Sequence, residues 1–481
     1  MEAQNEARSK VFNDPIHGHV ELDPLLIKII DTPQFQRLRN IKQLGGGYFV
    51  YPGASHNRFE HSIGVGYLAG QLVEALQTRQ PELNIDERDI LCVKIAGLCH
   101  DLGHGPFSHL FDQAFIPKAR PGVEWKHEMA SVHMFDHVVE SIDLKLEEYG
   151  LVLPGDVTFI KEMISPEYTE PLSKATYVLS SSQGPYKGRS KDKSFLYEIV
   201  ANKRNGVDVD KFDYFARDCH HLGIQNNFDH RRFLQFVRVC EVDGQKHICT
   251  RDKEEDNMYE MFHTRMSLHK SAYQHKVNKI IETMITEAFL KADEHIQIAG
   301  SGGKMLTLST AIDDMEAYTK LTDHVFEQIL NSSSPQLDEA RQILRKIVTR
   351  DLYKFLGEIE NPTQVCTCEM IPLWKEELAQ ELLQSREGLT PEDFEVQKIT
   401  IDYGKSDRNP VEYIYFYSKY DPTEAFKMKS YQVSEFRRKY FSEQTFRFYC
   451  KKTDDNTLKA DREHFDQWCR RKGFSKASGN I

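Results

Sequence analysis

The chain has 481 residues, of which 40% are hydrophobic and 28% charged, the balance of an ordinary globular protein with about three domains at most. It contains no run of about 18 apolar residues and no apolar core at its N-terminus, so we expect neither a membrane span nor a secretory signal. The net charge of -11 argues against general binding to nucleic acid, so a polyanionic ligand would need local clusters of Lys and Arg.

Helical periodicity dominates the chain up to about residue 355. We expect residues 1–9 to be disordered, residues 10–22 to be rich in turns, and the glycines at 45–47 to break the pattern. An exposed loop is expected at residues 173–193 and a hairpin at residues 296–308. The helices are predicted at residues 24–31, 32–41, 60–76, 89–99, 276–290 and 310–330.

After about residue 356 apolar and polar residues alternate, which is typical of strands. Residues 394–401 and 411–419 are predicted as strands joined by a loop, residues 446–450 as a further strand, and residues 462–471 as a closing helix. The sequence thus predicts a mainly α protein with a helical core at residues 10–355 and a smaller mixed α/β C-terminal lobe at residues 356–481.

The nine cysteines favour a reducing compartment over a disulfide framework, because their number is odd and their spacing irregular. Cys366 and Cys368 are the only close pair in the sequence. They lack the two-residue spacing of zinc ribbons, and we expect them to be free thiols.

Histidine and aspartate concentrate just after the predicted helix at residues 89–99. His100, Asp101, His104 and His109 follow this apolar helix in a turn that contains glycine and proline. Imidazole suits transition metals, whereas carboxylate suits harder cations and can bridge two ions. Because these residues directly follow an apolar helix, which is expected to be buried, we do not expect them to lie on a solvated surface.

Two further candidates, His61 and Asp210, complete a possible ligand set with His100 and Asp101. Two imidazoles and two carboxylates can hold one transition metal and leave positions open for water and phosphate oxygen. Such an ion lowers the pKa of bound water and neutralises phosphate charge. Each residue alone has a simpler explanation: a single buried His is more often a packed core residue, and Asp208 or Asp213 a helix cap or solvated charge.

The pattern of His61, His100, Asp101 and Asp210 resembles the HD-domain phosphohydrolase superfamily, which implies an HD-domain helical core. Longer motifs resemble one group within this superfamily, the vertebrate SAM-and-HD-domain deoxynucleoside triphosphate triphosphohydrolases. This resemblance covers nearly the whole chain, although residues 357–395 match poorly. These motifs are Phe12-Asn-Asp-Pro-Ile-His-Gly-His, Gln43-Leu-Gly-Gly-Gly-Tyr, Gly53-Ala-Ser-His-Asn-Arg-Phe-Glu-His, Asp210-Lys-Phe-Asp-Tyr-Phe-Ala-Arg-Asp-Cys-His-His and Ala272-Tyr-Gln-His-Lys.

The resemblance implies that water attacks the α-phosphorus of a dNTP, releasing a deoxynucleoside and tripolyphosphate. An alkoxide leaving group needs a general acid. By resemblance His109 donates this proton, and His104 contacts the α-phosphate. Asp112 and His127 would orient the His109 ring and adjust its affinity for the proton.

The resemblance also implies a set of substrate-binding residues. Phosphate ligands are expected at Arg58, Lys211, Tyr214 and Arg265, and Tyr273 is expected to pack where a 2′-hydroxyl would lie. The full set of matches is Gln43, Leu44, Arg58, His104, His109, Lys211, Tyr214, Asp218, Arg265, Tyr273 and Gln274, with Gln43 and Asp218 expected at the 3′-hydroxyl.

Members of this family bind nucleotide activators between the subunits of a homotetramer, which implies two regulatory sites here. The residues that match the GTP or dGTP site are Lys10, Asp31, Gln36, Arg39, Arg350 and Lys354. Those that match the dNTP site are Val11, Asn13, Val50, Arg232, Arg251, Lys253, Asn257, His275, Lys276, Val277 and Lys419. These cations would account for polyphosphate binding by an acidic chain.

The resemblance suggests iron at the His/Asp site, where manganese or zinc would also suit the ligands, and magnesium on the substrate and activator phosphates. It implies a nuclear location. Because only nine residues precede Lys10, no SAM domain is expected, and control through a phosphorylated C-terminal tail is not carried over.

Two alternatives stay open at this point. Another HD phosphohydrolase, such as a nucleotidase or a cyclic-nucleotide phosphodiesterase, would release orthophosphate or a nucleoside monophosphate. A single-stranded nucleic-acid-binding scaffold would bind RNA in a salt-sensitive way and keep its function after Asp101→Ala.

Overall fold

The computed structural model describes residues 9–168, 186–360, 367–382, 388–405, 408–428 and 441–474. The predicted disorder at residues 1–8, most of the predicted loop at 173–193 and the thiol of Cys366 lie outside these ranges. Within them, no helix combines the length and apolar character that a bilayer crossing requires.

Helices form most of the regular structure in these ranges. In chain order they are α1 (Pro24–Ile30), α2 (Pro33–Gln36), α3 (Arg58–Arg79), α4 (Glu87–Cys99), α5 (Ile116–Ala119), α6 (His127–Ser141), α7 (Gly155–Ile164), α8 (Val209–Leu222), α9 (His230–Phe236), α10 (Glu255–Leu268), α11 (Lys276–Ala292), α12 (Met315–Thr319), α13 (Val325–Leu330), α14 (Asp338–Val348), α15 (Ile371–Leu382) and α16 (Leu458–Lys472).

Short sheets lie between and beside the helices. The strands are β1 (Lys10–Asp14), β2 (Gly18–Leu22), β3 (Arg238–Val242), β4 (Gln245–Arg251), β5 (Ile298–Ala299), β6 (Met305–Leu306), β7 (Lys354–Glu360), β8 (Phe394–Asp402), β9 (Tyr415–Tyr417), β10 (Ala425–Phe426) and β11 (Ser442–Cys450). β1 pairs with β2 and β5 with β6, and the two larger sheets have the orders β10-β9-β4-β3 and β7-β11-β8.

The centre of the main core is α3, which packs against both α4 and α8. Small residues permit the close approach to α4: a Cβ added to Gly97 would lie 2.9 Å from the Cβ of Ala69, and one added to Gly66 would lie 3.2 Å from the Cβ of Leu98. Any larger side chain at either glycine would push the two helices apart. This packing brings the first turn of α3 next to the last turn of α4.

The C-terminal lobe has its own apolar core. β11 runs antiparallel to both β7 and β8, and the helices α15 and α16 pack against this sheet. Trp374, Phe446, Phe448, Phe465 and Trp468 are all buried between the sheet and the helices. The lobe therefore has the mixed α/β composition that the sequence predicts.

The mainly α fold class is confirmed, as are the helices near residues 24–31, 89–99 and 276–290, the short hairpin near residue 300 and the closing helix. Other predictions were wrong in detail. The turn-rich residues 10–22 form the hairpin β1–β2, and residues 310–330 are broken into a 3₁₀ turn and two short helices. The glycines at 45–47 do interrupt the α-helical pattern, as predicted, and they lie in a short 3₁₀ turn.

The predicted strand at residues 411–419 was too long. Only Tyr415–Tyr417 of this segment is a strand, and it pairs in parallel with β4 and not with β8. β3 and β4 themselves interrupt a region predicted to be helical. Alternation of apolar and polar residues indicates that a segment is a strand, but it does not identify the partner strand.

Trp374→Ala should lower the free energy of unfolding by about 3–5 kcal/mol, because the indole is fully buried among aromatic rings and its removal leaves a cavity. Urea denaturation followed by circular dichroism would measure the change. The neighbouring Leu373 is 51% exposed, so Leu373→Ala should change the stability by less than about 0.5 kcal/mol. Equal losses in the two variants would contradict this description of the lobe.

Candidate active site

Three helix ends converge at the predicted metal ligands. His61 lies in the first turn of α3, where Asn57 and Glu60 form a capping box. His100 and Asp101 directly follow α4. Asp210 lies in the first turn of α8, whose N-cap is Asp208. Of the two simpler explanations given for Asp208, a helix cap or a solvated charge, the structure shows the helix cap.

The four ligand side chains share one small volume. The Nε2 atom of His61 lies 3.2 Å from Oδ1 of Asp210 and 3.4 Å from Oδ2 of Asp101. The Nε2 atom of His100 lies 3.3 Å from Oδ1 of Asp101 and 3.5 Å from Oδ1 of Asp210. Atoms bonded to one ion at about 2.1 Å are separated by distances of this size.

The two Nε2 atoms are the strongest sign that this cluster suits a metal. Both are buried and have no hydrogen-bond partner among the residues that the structure describes. The other nitrogen of each ring is occupied: Nδ1 of His61 donates to Asp213 at 2.7 Å, and Nδ1 of His100 donates to the carbonyl of Gly97 at 2.8 Å. Because each Nδ1 carries the hydrogen, the lone pair of each Nε2 points toward the carboxylates. Metal-binding histidines in proteins are commonly oriented in this way, by a hydrogen bond from the other ring nitrogen to a carboxylate or a backbone carbonyl.

The electrostatics of the cluster keep its carboxylates ionised. Burial raises the pKa of Asp101, but His100 and Arg58 outweigh burial and hold that pKa well below its ordinary value. Burial likewise raises the pKa of Asp210, and the nearby imidazoles of His100 and His61 lower it more strongly. Arg58 donates to Oδ2 of Asp101 at 2.6 Å, which fixes that carboxylate.

A second group of imidazoles lies beside the first. Asp112 lies between His127, whose Nδ1 is 2.8 Å from Oδ2, and His109, whose Nδ1 is 3.4 Å from Oδ1. Both histidines lower the pKa of Asp112 against the effect of burial. His104 stacks on His127 with ring centroids 4.0 Å apart, and burial with the nearby Arg58 lowers the pKa of His104. The chain thus holds a half-exposed imidazole, His109, against a buried carboxylate.

Both groups open into a cavity of about 340 Å³. The predicted substrate residues that line it are Gln43, Leu44, Arg58, His104, His109, Tyr214, Asp218, Tyr273 and Gln274. Lys211 lies in a smaller neighbouring cavity of about 160 Å³ that shares Asp101, His127 and Asp210 with the first. Arg265 does not line either cavity and donates to the backbone carbonyl of Asp402.

One end of the larger cavity carries a short chain of hydrogen bonds. The hydroxyl of Tyr273 donates to Oδ2 of Asp218 at 2.5 Å, and Nε2 of His56 lies 2.6 Å from the other oxygen. Gln43 and Gln274 also line the cavity, and their side-chain oxygens are buried without a hydrogen-bond partner in the described part of the chain. This end therefore offers several fixed polar groups to a ligand.

The residues predicted for the GTP site lie in three segments of the chain. Gln36 donates to the carbonyl of Ile30 and accepts from Nε of Arg39, both at 2.8 Å, in the turn that also carries Asp31. Arg350 donates to the carbonyl of Phe49, and Lys354 pairs with Asp455. Lys10 is on β1, where its ammonium lies over the ring of Phe12.

The residues predicted for the dNTP site are also dispersed. Arg232 and Lys253 both lie over the ring of Phe236, and Arg232 and Asn257 contact Glu254. The others lie on β1 (Val11, Asn13), after the 3₁₀ turn that ends at Phe49 (Val50), on β4 (Arg251), at the start of α11 (His275, Lys276, Val277) and after β9 (Lys419).

The sequence reasoning missed the groups that hold the ligands in place. Asp213, expected to be a solvated charge or cap, is fully buried and accepts from His61, from Arg217 and from Nε2 of His17. The signal for Asp213 was its position one helical turn after Asp210. His17 belongs to one of the motifs quoted above, but only the structure gives it a contact.

Comparisons with known proteins identify the family. The family model of the HD domain matches residues 58–153, which include His61, His100 and Asp101. The chain is 63% identical to the deoxynucleoside triphosphate triphosphohydrolase SAMHD1 of Danio rerio over 97% of the chain and 75% of that protein. Identity is 58% with the human protein of the same name, covering 97% and 74%, and 40% with the Dictyostelium discoideum homologue, covering 92% and 77%. The chain belongs to the SAMHD1 family of deoxynucleoside triphosphate triphosphohydrolases.

Asp213→Asn should weaken metal binding by about 10- to 100-fold, because the amide cannot both orient His61 and balance Arg217 as the carboxylate does. Titration of the metal-free protein with Mn²⁺ in a calorimeter would measure the affinity. Asp143→Asn is the matched control, since that side chain is 82% exposed and pairs only with Lys145 among the described residues. Unchanged affinity in Asp213→Asn would show that the outer carboxylate has no such role.

Proposed function

We propose that this protein hydrolyses a deoxynucleoside triphosphate to a deoxynucleoside and tripolyphosphate. The observation that carries the proposal is the convergence of two unpartnered imidazole nitrogens and two carboxylates at a cavity of nucleotide size. Family membership supports the same reaction, since the relatives are named for it.

His61, His100, Asp101 and Asp210 would hold a transition metal. When bound, the ion would polarise a phosphoryl oxygen and lower the pKa of a water molecule, which suits attack on phosphorus near neutral pH. Iron is our proposal for this position, and manganese or zinc also suits two imidazoles and two carboxylates. Magnesium would accompany the substrate and activator phosphates.

Arg58 is preorganised to bind the phosphate nearest the metal site. Its guanidinium is buried and held by Asp101, by Ser108 at 3.0 Å and by the carbonyl of Gln43 at 3.3 Å. A donor fixed in this way stabilises charge that develops in the transition state without reorganising. Lys211, Tyr214 and Arg265 would bind the outer phosphates. The pKa of Lys211, which burial lowers, is raised overall by Asp208, so its ammonium stays charged.

The departing 5′ oxygen must receive a proton, and His109 is the proposed donor. It lines the cavity, and its Nδ1 faces Asp112, so its Nε2 would carry the proton toward substrate. Asp112 and His127 would set the orientation and protonation of the ring. General acid catalysis of this kind contributes about 10²- to 10⁴-fold to a rate.

Selection for deoxyribose would come from Tyr273. Because its hydroxyl is tied to Asp218, the ring cannot turn away without breaking a buried hydrogen bond. A fixed ring excludes a 2′-hydroxyl by steric overlap. Asp218 and Gln43 would then bind the 3′-hydroxyl, and Leu44 and Gln274 would contact the rest of the nucleoside.

We also propose control by GTP or dGTP and by dNTP at two sites between the subunits of a homotetramer, in the nucleus. The cationic residues assigned to each site lie on separate segments of one chain, which suits sites completed by a second subunit. Activator binding and assembly would then strengthen each other.

Hydrolysis of dATP in ¹⁸O-labelled water should give unlabelled deoxyadenosine and tripolyphosphate that carries one ¹⁸O, because water attacks the α-phosphorus. Mass spectrometry of the products would test the reaction. The rate should rise when GTP is added, together with the mass measured by light scattering. Release of pyrophosphate, orthophosphate or a nucleoside monophosphate would favour another HD phosphohydrolase and contradict the proposal.

His109→Gln should lower kcat by about 10²- to 10⁴-fold with a smaller change in KM, since the amide can fill the space but cannot donate a catalytic proton. Steady-state hydrolysis of dATP in the presence of GTP would measure both constants. His133→Gln is the matched control, because His133 is an exposed residue of α6 away from the cavity. A His109→Gln enzyme with wild-type kcat would exclude His109 as the acid.

A further inference from the structure

A carboxylate outside the HD-domain segment joins two segments that line the cavity. Asp323 precedes α13 and is partly buried. The backbone N–H of Lys42 donates to its Oδ2 at 2.8 Å, and the backbone N–H of Phe107 donates to its Oδ1 at 2.6 Å. Its own N–H donates to the carbonyl of Asn40 at 3.0 Å. Asp323 is therefore fixed to both segments at once.

Each of these segments leads directly into the active site. Lys42 is followed by Gln43 and Leu44, which line the cavity. Phe107 is two residues before His109, the proposed proton donor. The segments also approach each other closely, since a Cβ on Gly45 would lie 2.5 Å from the carbonyl oxygen of Phe107.

The turn at Phe107 needs an external restraint. Phe107 and Ser108 have φ values of 61° and 56°, in the left-handed region that side chains with a Cβ rarely adopt. Two consecutive non-glycine residues in this region persist only where surrounding contacts enforce the conformation. The hydrogen bond from the Phe107 N–H to the carboxyl oxygen of Asp323 is such a contact.

The same turn is connected to the phosphate-binding arginine. The hydroxyl of Ser108 donates to the carbonyl of Lys42 at 2.6 Å and accepts from Nε of Arg58 at 3.0 Å. Arg58 in turn holds Asp101. A shift of the turn would therefore move the proton donor and the phosphate-binding arginine together.

We propose that Asp323 is a positioning residue for the proposed hydrolysis, which holds the Phe107–Ser108 turn and the Lys42–Leu44 segment in register so that His109 and Arg58 face the substrate. This inference rests on the proposed function. Asp323 is not assigned any contact with substrate, and its effect passes through two backbone amides. Its place outside residues 58–153 also means that the HD-domain match alone does not include it.

Asp323→Asn separates positioning from a general contribution to folding. The side chain keeps its shape and one acceptor oxygen, but its NH₂ group cannot accept the second backbone N–H. We expect kcat to fall by about 10- to 100-fold while KM changes by less than about threefold, because a small displacement of a catalytic group lowers the rate of the chemical step. Asp323→Ala removes both acceptors and should lower kcat further.

The matched control is Asp313→Asn, since Asp313 is 51% exposed and pairs with Arg120 on the surface. Thermal denaturation would be recorded for all variants, and hydrogen exchange with mass spectrometry would follow peptides that contain Lys42 and Phe107. Faster exchange in these peptides of Asp323→Asn, with a lower kcat and a transition temperature close to that of wild type, is the expected result.

Unchanged exchange in both peptides, or a wild-type kcat in Asp323→Asn, would overturn the inference. A kcat that falls only in proportion to the fraction of unfolded protein would overturn it as well. If the wild-type protein releases no tripolyphosphate, the proposed function fails, and the exchange comparison still decides whether Asp323 holds the turn.

Discussion

The close packing of α3 against α4 is the constraint on which the rest of the site depends. It places His61 at the start of one helix within 3.4 Å of Asp101, just past the end of the other, and α8 then adds Asp210 at 3.2 Å. Nitrogen and oxygen atoms at such distances in a buried place need a shared cation or shared protons. The two unpartnered Nε2 atoms make a metal ion the simpler explanation.

Around this cluster the protein uses buried charge to fix geometry. Asp213 orients His61 and is itself held by Arg217 and His17, while Arg58 holds Asp101. Breaking such a pair leaves a buried charge without its partner, which is strongly unfavourable. The network is therefore suited to keeping the ligands in one arrangement more than to adding stability.

The sequence predicted which four residues would cluster better than it predicted the residues that support them. His61, His100, Asp101 and Asp210 could be named because their residue types and motifs are distinctive, and the structure brings them together. Asp213 offered only its spacing of one helical turn from Asp210. Asp323 could not be assigned, because a single aspartate has no local pattern that separates a buried anchor from a solvated charge. The strand pairing of Tyr415–Tyr417 with β4 was also unpredictable, since it joins segments more than 160 residues apart.

The central claim is that one transition-metal ion is bound jointly by residues from three helix ends. Anomalous diffraction at the absorption edge of the metal that copurifies with the protein tests this most directly. We expect one peak about 2.0–2.3 Å from Nε2 of His61 and of His100 and from carboxylate oxygens of Asp101 and Asp210. A peak elsewhere in the chain, or an ion that excludes either histidine, would contradict the account.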